Sequence, residues 1–137
     1  MEFEKVLSKN DVGATKSHQA GFLVPKSMRE LIDFFPQLNP DELNPSAALL
    51  VIDDDMNRWE FRYVYYNNRL HSEKGTRDEY RITCTTKYMR SVGAKEGDVL
   101  HFSKTADGLY RLSFVRDCEN ETVPSNRVNL RGWKQVY

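Results

Sequence analysis

The apolar positions of the chain predict a series of short strands. Residues 58–67 (RWEFRYVYYN) alternate apolar and polar side chains and are rich in aromatic and β-branched types, whereas residues 47–54 (AALLVIDD) begin as a short apolar run. Residues 98–117 hold two apolar stretches on either side of an Asp-Gly step, which is typical of a β-hairpin. We therefore expect a strand in each of the first two segments and a strand pair in the third.

Residues 79–86 (EYRITCTT) alternate as well and predict another strand. In a strand, successive side chains point to opposite faces, so every second residue shares a surface. On this pattern the exposed face carries Arg81, Thr83 and Thr85, and the opposite face carries Tyr80, Ile82 and Cys84.

Two short helices are predicted between the strands. Residues 27–35 (SMRELIDFF) have a helical apolar period; Pro25 suits the first turn of this helix and Pro36 ends it. Residues 87–93 (KYMRSVG) predict a second, brief helix. The positions expected on the apolar face of the first helix are Met28, Leu31, Ile32 and Phe35.

Both ends of the chain bear on the fold class. Residues 3–9 (FEKVLSK) read as an opening strand, and residues 126–137 (NRVNLRGWKQVY) as either a closing strand or a tail. Six or seven short strands without regular strand–helix alternation indicate a mainly β protein with barrel-like closure. Because no linker or repeat interrupts the chain, we predict a single domain over residues 1–137.

The composition is that of an ordinary globular protein, with 39% hydrophobic and 29% charged residues. The N-terminal MEFEKVL lacks the form of a secretion signal, and no apolar run approaches the roughly 20 residues of a membrane span. Cys84 and Cys118 lie far apart without metal-ligand spacing, so unpaired thiols in a reduced cytoplasm are expected.

The charge is balanced, with 20 basic and 20 acidic residues, which argues against a nonspecific polyanion binder. The distribution is uneven, however. Residues 69–90 hold six lysines and arginines against three acids, whereas acids concentrate in NPDELNP and VIDDDMN. A local basic face is therefore expected despite the zero net charge.

Two polar segments contain the side chains best suited to binding. Residues 8–19 are dense in hydrogen-bonding groups, and residues 67–81 mix arginines with acids. Arginine can donate two hydrogen bonds to guanine, Glu or Asp can accept one from the cytosine amino group, and lysine can contact phosphates. The segments therefore suit reading of base edges, although from the residues alone two solvated loops with weak surface ion pairs are the more economical interpretation.

A catalytic site is not evident from the sequence, and we assign neither catalytic residues nor metal ligands. Asp54 and Glu60 raise the alternative of a small metal-dependent nuclease, because carboxylates from adjacent strands can hold a divalent ion. A solvated acidic turn followed by a polar strand face explains the same residues. The three histidines are scattered, and no glycine-rich phosphate loop precedes a helix.

Four motifs in fixed order give the chain a specific resemblance. They are LSKNDVGATKSHQAGFLVPK, ELNPS, YYNNR and GTRDEYRIT, and they extend from residue 7 to about residue 85. In this respect the chain resembles the N-terminal effector domain of EcoRII-type (type IIE) restriction endonucleases. It departs from that pattern where Lys16 and Ser17 replace two glycines, where Leu23 replaces a tyrosine and where Tyr80 replaces a lysine.

The resemblance implies a DNA-binding pseudobarrel of about seven strands with one or two short helices, similar to the plant B-three domain. Two arms of such a domain grip the major groove of double-stranded DNA, and the domain regulates a separate nuclease domain. It implies a short GC-containing target that resembles CCWGG, in a prokaryotic cytoplasm. No cofactor is expected for binding, and Mg²⁺ only for a nuclease domain outside this chain. A standalone transcription regulator of the same fold is the alternative.

The resemblance also assigns DNA-contacting residues to the two polar segments. Arg77, Glu79 and Arg81 are spaced two residues apart, so their side chains would point the same way in an extended arm. This geometric expectation follows from the spacing and does not depend on the resemblance. Lys16 is expected to contact a phosphate. The full set is Lys9, Asn10, Asp11, Thr15, Lys16, His18 and Gln19 in the first segment, and Arg69, Lys74, Arg77, Asp78, Glu79 and Arg81 in the second.

Overall fold

A computed structural model describes residues 2–9, 11–12, 21–116 and 132–136 of the 137-residue chain. Within these residues, one sheet of eight strands dominates the fold, in the order β2-β5-β4-β3-β7-β6-β1-β8. The strands are β1 (Glu2–Val6), β2 (Phe22–Val24), β3 (Ser46–Ile52), β4 (Arg58–Tyr66), β5 (Glu79–Thr83), β6 (Val99–Lys104), β7 (Tyr110–Val115) and β8 (Trp133–Val136). The helices are α1 (Arg29–Phe34), α2 (Asn68–His71) and α3 (Thr86–Val92).

The sheet curls into a nearly closed barrel. Its described neighbours pair antiparallel except β3 and β7, which run parallel. The two ends of the strand order, β2 and β8, approach each other closely enough for the indole Nε1 of Trp133 to donate a 2.8 Å hydrogen bond to the Leu23 carbonyl oxygen. The predicted mainly β, barrel-like fold is confirmed, and the C-terminal segment supplies a closing strand.

Aromatic side chains fill the barrel interior. Phe35, which directly follows α1, packs its ring against those of Tyr63, Phe102, Tyr110 and Trp133, with centroids 5.2–6.1 Å apart. All five side chains are nearly or completely buried. The extended backbone of Phe35 is the conformation favoured before a proline, and it ends α1 at Phe34. Helix α1 thereby inserts its C-terminal end into the core.

The predicted helices exist, with differences in detail. Helix α1 begins at Arg29, so Pro25 lies before its first turn. The predicted apolar positions Met28, Leu31, Ile32 and Phe35 all contribute to the core, but Phe35 follows the helix as its C-cap, and Phe34 is buried within it. Helix α3 ends at Gly93, whose left-handed φ of 63° allows its amide to cap the last turn. Helix α2 was not predicted, because its four residues are mostly polar and have no apolar period.

The expected exposure of the 79–86 strand is wrong for three residues. Strand β5 ends at Thr83, and Cys84 takes a positive φ of 63° that breaks the alternation. Cys84 is therefore exposed, and Thr85 is buried at the start of α3. Arg81, which pairs with Leu23 of β2 and Val64 of β4, is only 5% exposed.

Two further expectations can be compared with the described residues. Cys84 is a free thiol, whereas Cys118 lies outside the described part. No helix among the described residues is both long enough and apolar enough to cross a membrane.

Candidate functional site

Arg77, Glu79 and Arg81 form one row on the outer face of the sheet, as their period-two spacing predicts. Arg77 donates to Glu79 Oε1 through Nε at 3.0 Å and through Nη2 at 2.8 Å. Arg81 Nη1 lies 3.6 Å from Glu79 Oε2. One carboxylate thus holds two guanidinium groups, and about a third of the Arg77 side chain and a quarter of the Glu79 side chain remain exposed. Arg77 and Glu79 therefore present fixed donors and acceptors to the outside, whereas Arg81 lies buried at the inner end of the row, with 6% of its side chain exposed.

An aromatic ring supports the outermost arginine of the row. The guanidinium carbon of Arg77 lies 3.7 Å from the ring centroid of Tyr66, a cation–π arrangement. Tyr66 pairs with Glu79 across β4 and β5, so the ring lies beside the carboxylate as well. Stacking and the forked contact to Glu79 together restrict the rotamers of Arg77 before any ligand binds.

The backbone next to Arg77 is held by helix α2. The Arg77 amide donates to the Asn68 side-chain oxygen at 2.8 Å, and the Arg69 amide donates to the Arg77 carbonyl oxygen at 3.0 Å. The chain approaches α2 so closely at Gly75 that a Cβ there would lie 2.2 Å from the Asn68 carbonyl oxygen. Exposed Arg69 and Lys74 therefore belong to the same structural unit as the row.

Asp78 points away from the row, toward the interior side of the sheet. Its carboxylate accepts a hydrogen bond from the Tyr65 hydroxyl and two from Lys26 Nζ, at 2.9 and 3.0 Å. These hydrogen bonds, that of Tyr65 foremost, lower the pKa of the Asp78 carboxyl, so it stays charged near neutral pH. Burial raises the pKa of the Tyr65 hydroxyl, and the bond to Asp78 raises it further.

Two residues of the first polar segment are placed very differently. Lys9 is exposed. Asp11 is 8% exposed; its carboxylate lies 3.0 Å from the buried ammonium of Lys5 and accepts a 2.9 Å hydrogen bond from the Ser8 amide. Asp11 thus holds the base of the segment, and a contact of Asp11 with DNA stays a prediction. Asn10, Thr15, Lys16, His18 and Gln19 lie outside the described residues.

The far end of the first segment is fixed against β5. Gly21 has a φ of 95°, and a Cβ at this position would lie only 1.9 Å from the carbonyl oxygen of Ile82. Any side chain would be excluded there. Because Ile82 follows Arg81 in β5, the chain leaves the first polar segment beside the row in the second.

Two of the recognised motifs meet in a structural contact. The buried Asn67 of YYNNR accepts a 2.7 Å hydrogen bond from the Asn44 amide of ELNPS and returns one from its own amide to the Asn44 side chain at 3.1 Å. Its side-chain amide also donates to the carbonyl oxygens of Pro40 and Glu42. These motifs therefore support α2 and, through it, the row.

The acidic turn that suggested a nuclease is largely structural. Asp53 accepts hydrogen bonds from the amides of Asp55 and Asn57 and from the Trp59 indole at 2.8–2.9 Å. Asp54 accepts one from the Ser113 hydroxyl at 2.8 Å. Glu60 and Arg62 share the outer face of β4 and are both exposed. Within the described ranges, no group of three His, Cys, Asp or Glu residues is arranged to hold a metal ion.

Sequence reasoning missed the residues that support the row. Tyr66 could have been found, because it continues the outward-facing period of β4 past Arg62. Lys26 gives no such signal, since it lies 52 residues from Asp78 and meets it only through the pairing of β2 with β5. Asn68 was hidden because α2 has no apolar pattern.

The fold and the motifs agree with known proteins. The type II restriction enzyme EcoRII of Escherichia coli is 46% identical over 82 residues, which are 58% of this chain but only 19% of that enzyme. The Arabidopsis FUS3–DNA complex matches with a TM-score of 0.60 and 21% identity, over 82% of this chain and 94% of that one. The B3 domain of the UbaLAI restriction endonuclease, solved with cognate DNA, gives a TM-score of 0.53 and 22% identity over 87% and 69%.

The structural matches identify the fold as a B3-type pseudobarrel, although both are under 25% identical to this chain. The family model described as "Restriction endonuclease EcoRII, N-terminal" matches residues 1–105, from β1 past the end of β6. This match extends beyond the four motifs into the second half of the barrel. The chain belongs to the family of EcoRII N-terminal domains of restriction endonucleases.

Proposed function

We propose that this chain recognises a specific double-stranded DNA sequence and serves as the target-recognition or effector domain of a type II restriction endonuclease. The observation that carries the proposal is the row of Arg77, Glu79 and Arg81, in which Tyr66 and the α2 backbone hold Arg77, and Arg77 and Glu79 are exposed. Family membership and the DNA bound in both structural relatives support it.

The chemistry of the row favours a GC-containing target. A guanidinium fork can donate to both O6 and N7 of guanine, and a carboxylate can accept from N4 of cytosine. Glu79 forms an ion pair with each of the two arginines. On binding, we expect Glu79 to accept from a cytosine while Arg77 turns to a guanine; Arg81 must leave its buried position to reach a second guanine. The acid would also repel phosphates, so base identity rather than backbone attraction would dominate affinity.

The exposed cations around the row are proposed to contact phosphates. Arg69 and Lys74 flank it on the α2 side, and Lys9 lies at the entry to the first polar segment. Phosphate contacts fix the register of a protein on the duplex without reading its sequence. Asn10, Thr15, Lys16, His18 and Gln19 remain proposed contacts of the first arm. With zero net charge, weak nonspecific binding is expected.

DNA cleavage is assigned to a nuclease domain, in the full-length enzyme or in a partner, and that domain would use Mg²⁺. The proposal gives this chain no bond-breaking step. The match to EcoRII spans 19% of that enzyme, so most of EcoRII lies outside the region that matches this chain.

Selection of bound duplexes from a randomised pool tests the proposed function. At a fixed salt concentration, the wild-type chain should enrich one short GC-containing site, because affinity depends strongly on salt. A variant carrying Arg111→Ala, which changes an exposed arginine three strands away from β5 in the sheet, should enrich the same site. Recovery of unrelated sequences by the wild type would contradict the proposal.

A further inference from the structure

The DNA contacts predicted from the sequence include Asp78, yet the structure directs its side chain away from the row. Residues 77 and 79 face outward at period two, so residue 78 faces the other side. There its carboxylate is surrounded by Tyr65 and Lys26, both of which donate hydrogen bonds to it. A carboxylate already bound on this side is poorly placed to accept from a base in a groove on the other.

We propose that Asp78 is a positioning residue: with Tyr65 and Lys26 it forms a latch that fixes the outward direction of Arg77 and Glu79. This inference rests on the proposed function, because what the latch positions is the row that reads DNA. The name latch is used below for these three residues, Lys26, Tyr65 and Asp78.

The latch joins three parts of the fold. Lys26 follows β2, Tyr65 lies in β4, and Asp78 immediately precedes β5. The Tyr65 ring is 3% exposed and stacks on Tyr80, with centroids 4.2 Å apart and planes inclined by 4°. Because this ring is buried and stacked on Tyr80, its hydroxyl offers Asp78 a donor at a fixed position.

The latch completes the fixation of the Arg77 backbone. On the N-terminal side, Asn68 and Arg69 bind the amide and the carbonyl of Arg77. One residue later, Asp78 is bound by its side chain. Consecutive residues anchored in opposite directions leave the peptide between them little freedom to rotate. A fixed peptide plane sets the direction in which Arg77 and Glu79 leave the backbone.

Lys26 also connects the latch to the first polar segment. Gly21, where that segment ends, and Lys26 belong to the same short stretch around β2, which pairs with β5. Lys26 Nζ lies 5.7 Å from the Tyr65 ring centroid as well as bonding Asp78, while about half of its side chain is exposed. The latch therefore ties the supports of both proposed arms to one carboxylate.

Tyr65→Phe is the decisive variant, because it removes one hydroxyl from a buried ring that cannot itself reach DNA. We expect it to lower the affinity ratio between the selected duplex and a one-base-substituted duplex by about 10-fold, the effect of losing one hydrogen bond to a charged group. Asp78→Asn should lower the ratio similarly. Since Tyr65→Phe changes no charge, the salt dependence of binding should stay as in the wild type.

Tyr110→Phe is the matched control. It also removes a buried hydroxyl with a hydrogen bond, in this case 2.7 Å to the Phe34 carbonyl oxygen on the opposite part of the barrel. We expect Tyr110→Phe to lower the free energy of unfolding about as much as Tyr65→Phe does, while leaving the affinity ratio between the two duplexes unchanged. If Tyr110→Phe lowered the ratio as much as Tyr65→Phe, loss of stability rather than positioning would be the cause, and the inference would be overturned.

A direct contact of Asp78 with DNA would give Asp78→Asn and Tyr65→Phe different affinity ratios. If Asp78→Asn lowered the ratio and Tyr65→Phe did not, Asp78 would touch DNA itself and the inference would be wrong. If neither variant changed the ratio, it would be wrong as well.

Amide hydrogen exchange without DNA separates failure of the latch from failure of the proposed function. Tyr65→Phe should speed exchange of the amides of residues 77–79, and Tyr110→Phe should not. Unchanged exchange in Tyr65→Phe overturns the latch whatever DNA shows. A wild type without sequence preference contradicts the proposed function, and faster exchange in Tyr65→Phe would still support the latch as a structural device.

Discussion

At the scale of single residues, burial separates polar side chains that hold the fold from those available for binding. Asp11 and Asn67 are 8% and 0% exposed and bind other parts of the chain. Arg77 and Glu79 have 32% and 27% of their side chains exposed and lie side by side on the outer face. The sequence predicts a DNA contact for Asp11 as well as for Arg77 and Glu79, because a polar residue type does not reveal which way its side chain points.

The buried ion pair of Asp11 and Lys5 provides a residue-scale prediction. Asp11→Ala leaves the ammonium of Lys5 buried without its carboxylate, so we expect the free energy of unfolding to fall by about 3–5 kcal/mol. Urea denaturation measures it. Asp33→Ala, at an exposed position of α1, should change the free energy by less than about 0.5 kcal/mol. Equal effects of the two substitutions would contradict the structural role of Asp11.

Asp78 gives a prediction about pH. Its folded-state pKa lies below the ordinary 3.8 because of its hydrogen bonds to Tyr65 and Lys26. The carboxylate therefore contributes stability that is fully present above the ordinary pKa and is lost as pH falls through the lowered one. The difference in unfolding free energy between the wild type and Asp78→Asn should be constant from about pH 7 to 5 and shrink below. A difference that persisted into acid would contradict this.

At the scale of elements, the sequence pattern predicts β1, β3 to β7 and the two longer helices, but not the three-residue strand β2. The β6–β7 hairpin forms around its Asp-Gly turn, where Gly108 has a φ of 82°. Periodicity fails for α2, whose four residues are held by hydrogen bonds from distant loops rather than by an apolar face. It also leaves the last segment undecided, because β8 becomes a strand only through pairing with β1 at the other end of the chain.

Strand β8 can be tested through its buried tryptophan. Trp133→Phe removes the hydrogen bond to the Leu23 carbonyl oxygen and leaves a cavity beside Phe35, so we expect a loss on the order of 2 kcal/mol in unfolding free energy. Thermal denaturation of Trp59→Phe, a half-buried indole bonded to Asp53, should show a smaller loss of about 1 kcal/mol. The opposite order would contradict a closing role for β8.

At the scale of the whole molecule, the barrel brings together parts of the site that lie far apart in the chain. The row itself follows from the local spacing of Arg77, Glu79 and Arg81, so the sequence predicts it. The residues that support the row do not follow from local spacing. Tyr66 contacts Arg77, and Lys26 contacts Asp78, only because the strands pair as they do. What the sequence cannot supply is this register, which depends on the closure of the entire sheet.

Removal of Glu79 tests the central claim most directly. The affinity ratio between the selected duplex and duplexes with a single GC pair replaced should be measured at one salt concentration for the wild type, Glu79→Ala and Glu60→Ala. Glu60 is an exposed glutamate on the outer face of neighbouring β4. We expect Glu79→Ala to lose about 10-fold or more of the preference for at least one GC pair and Glu60→Ala to keep it. A wild-type ratio in folded Glu79→Ala would contradict recognition of DNA by this row.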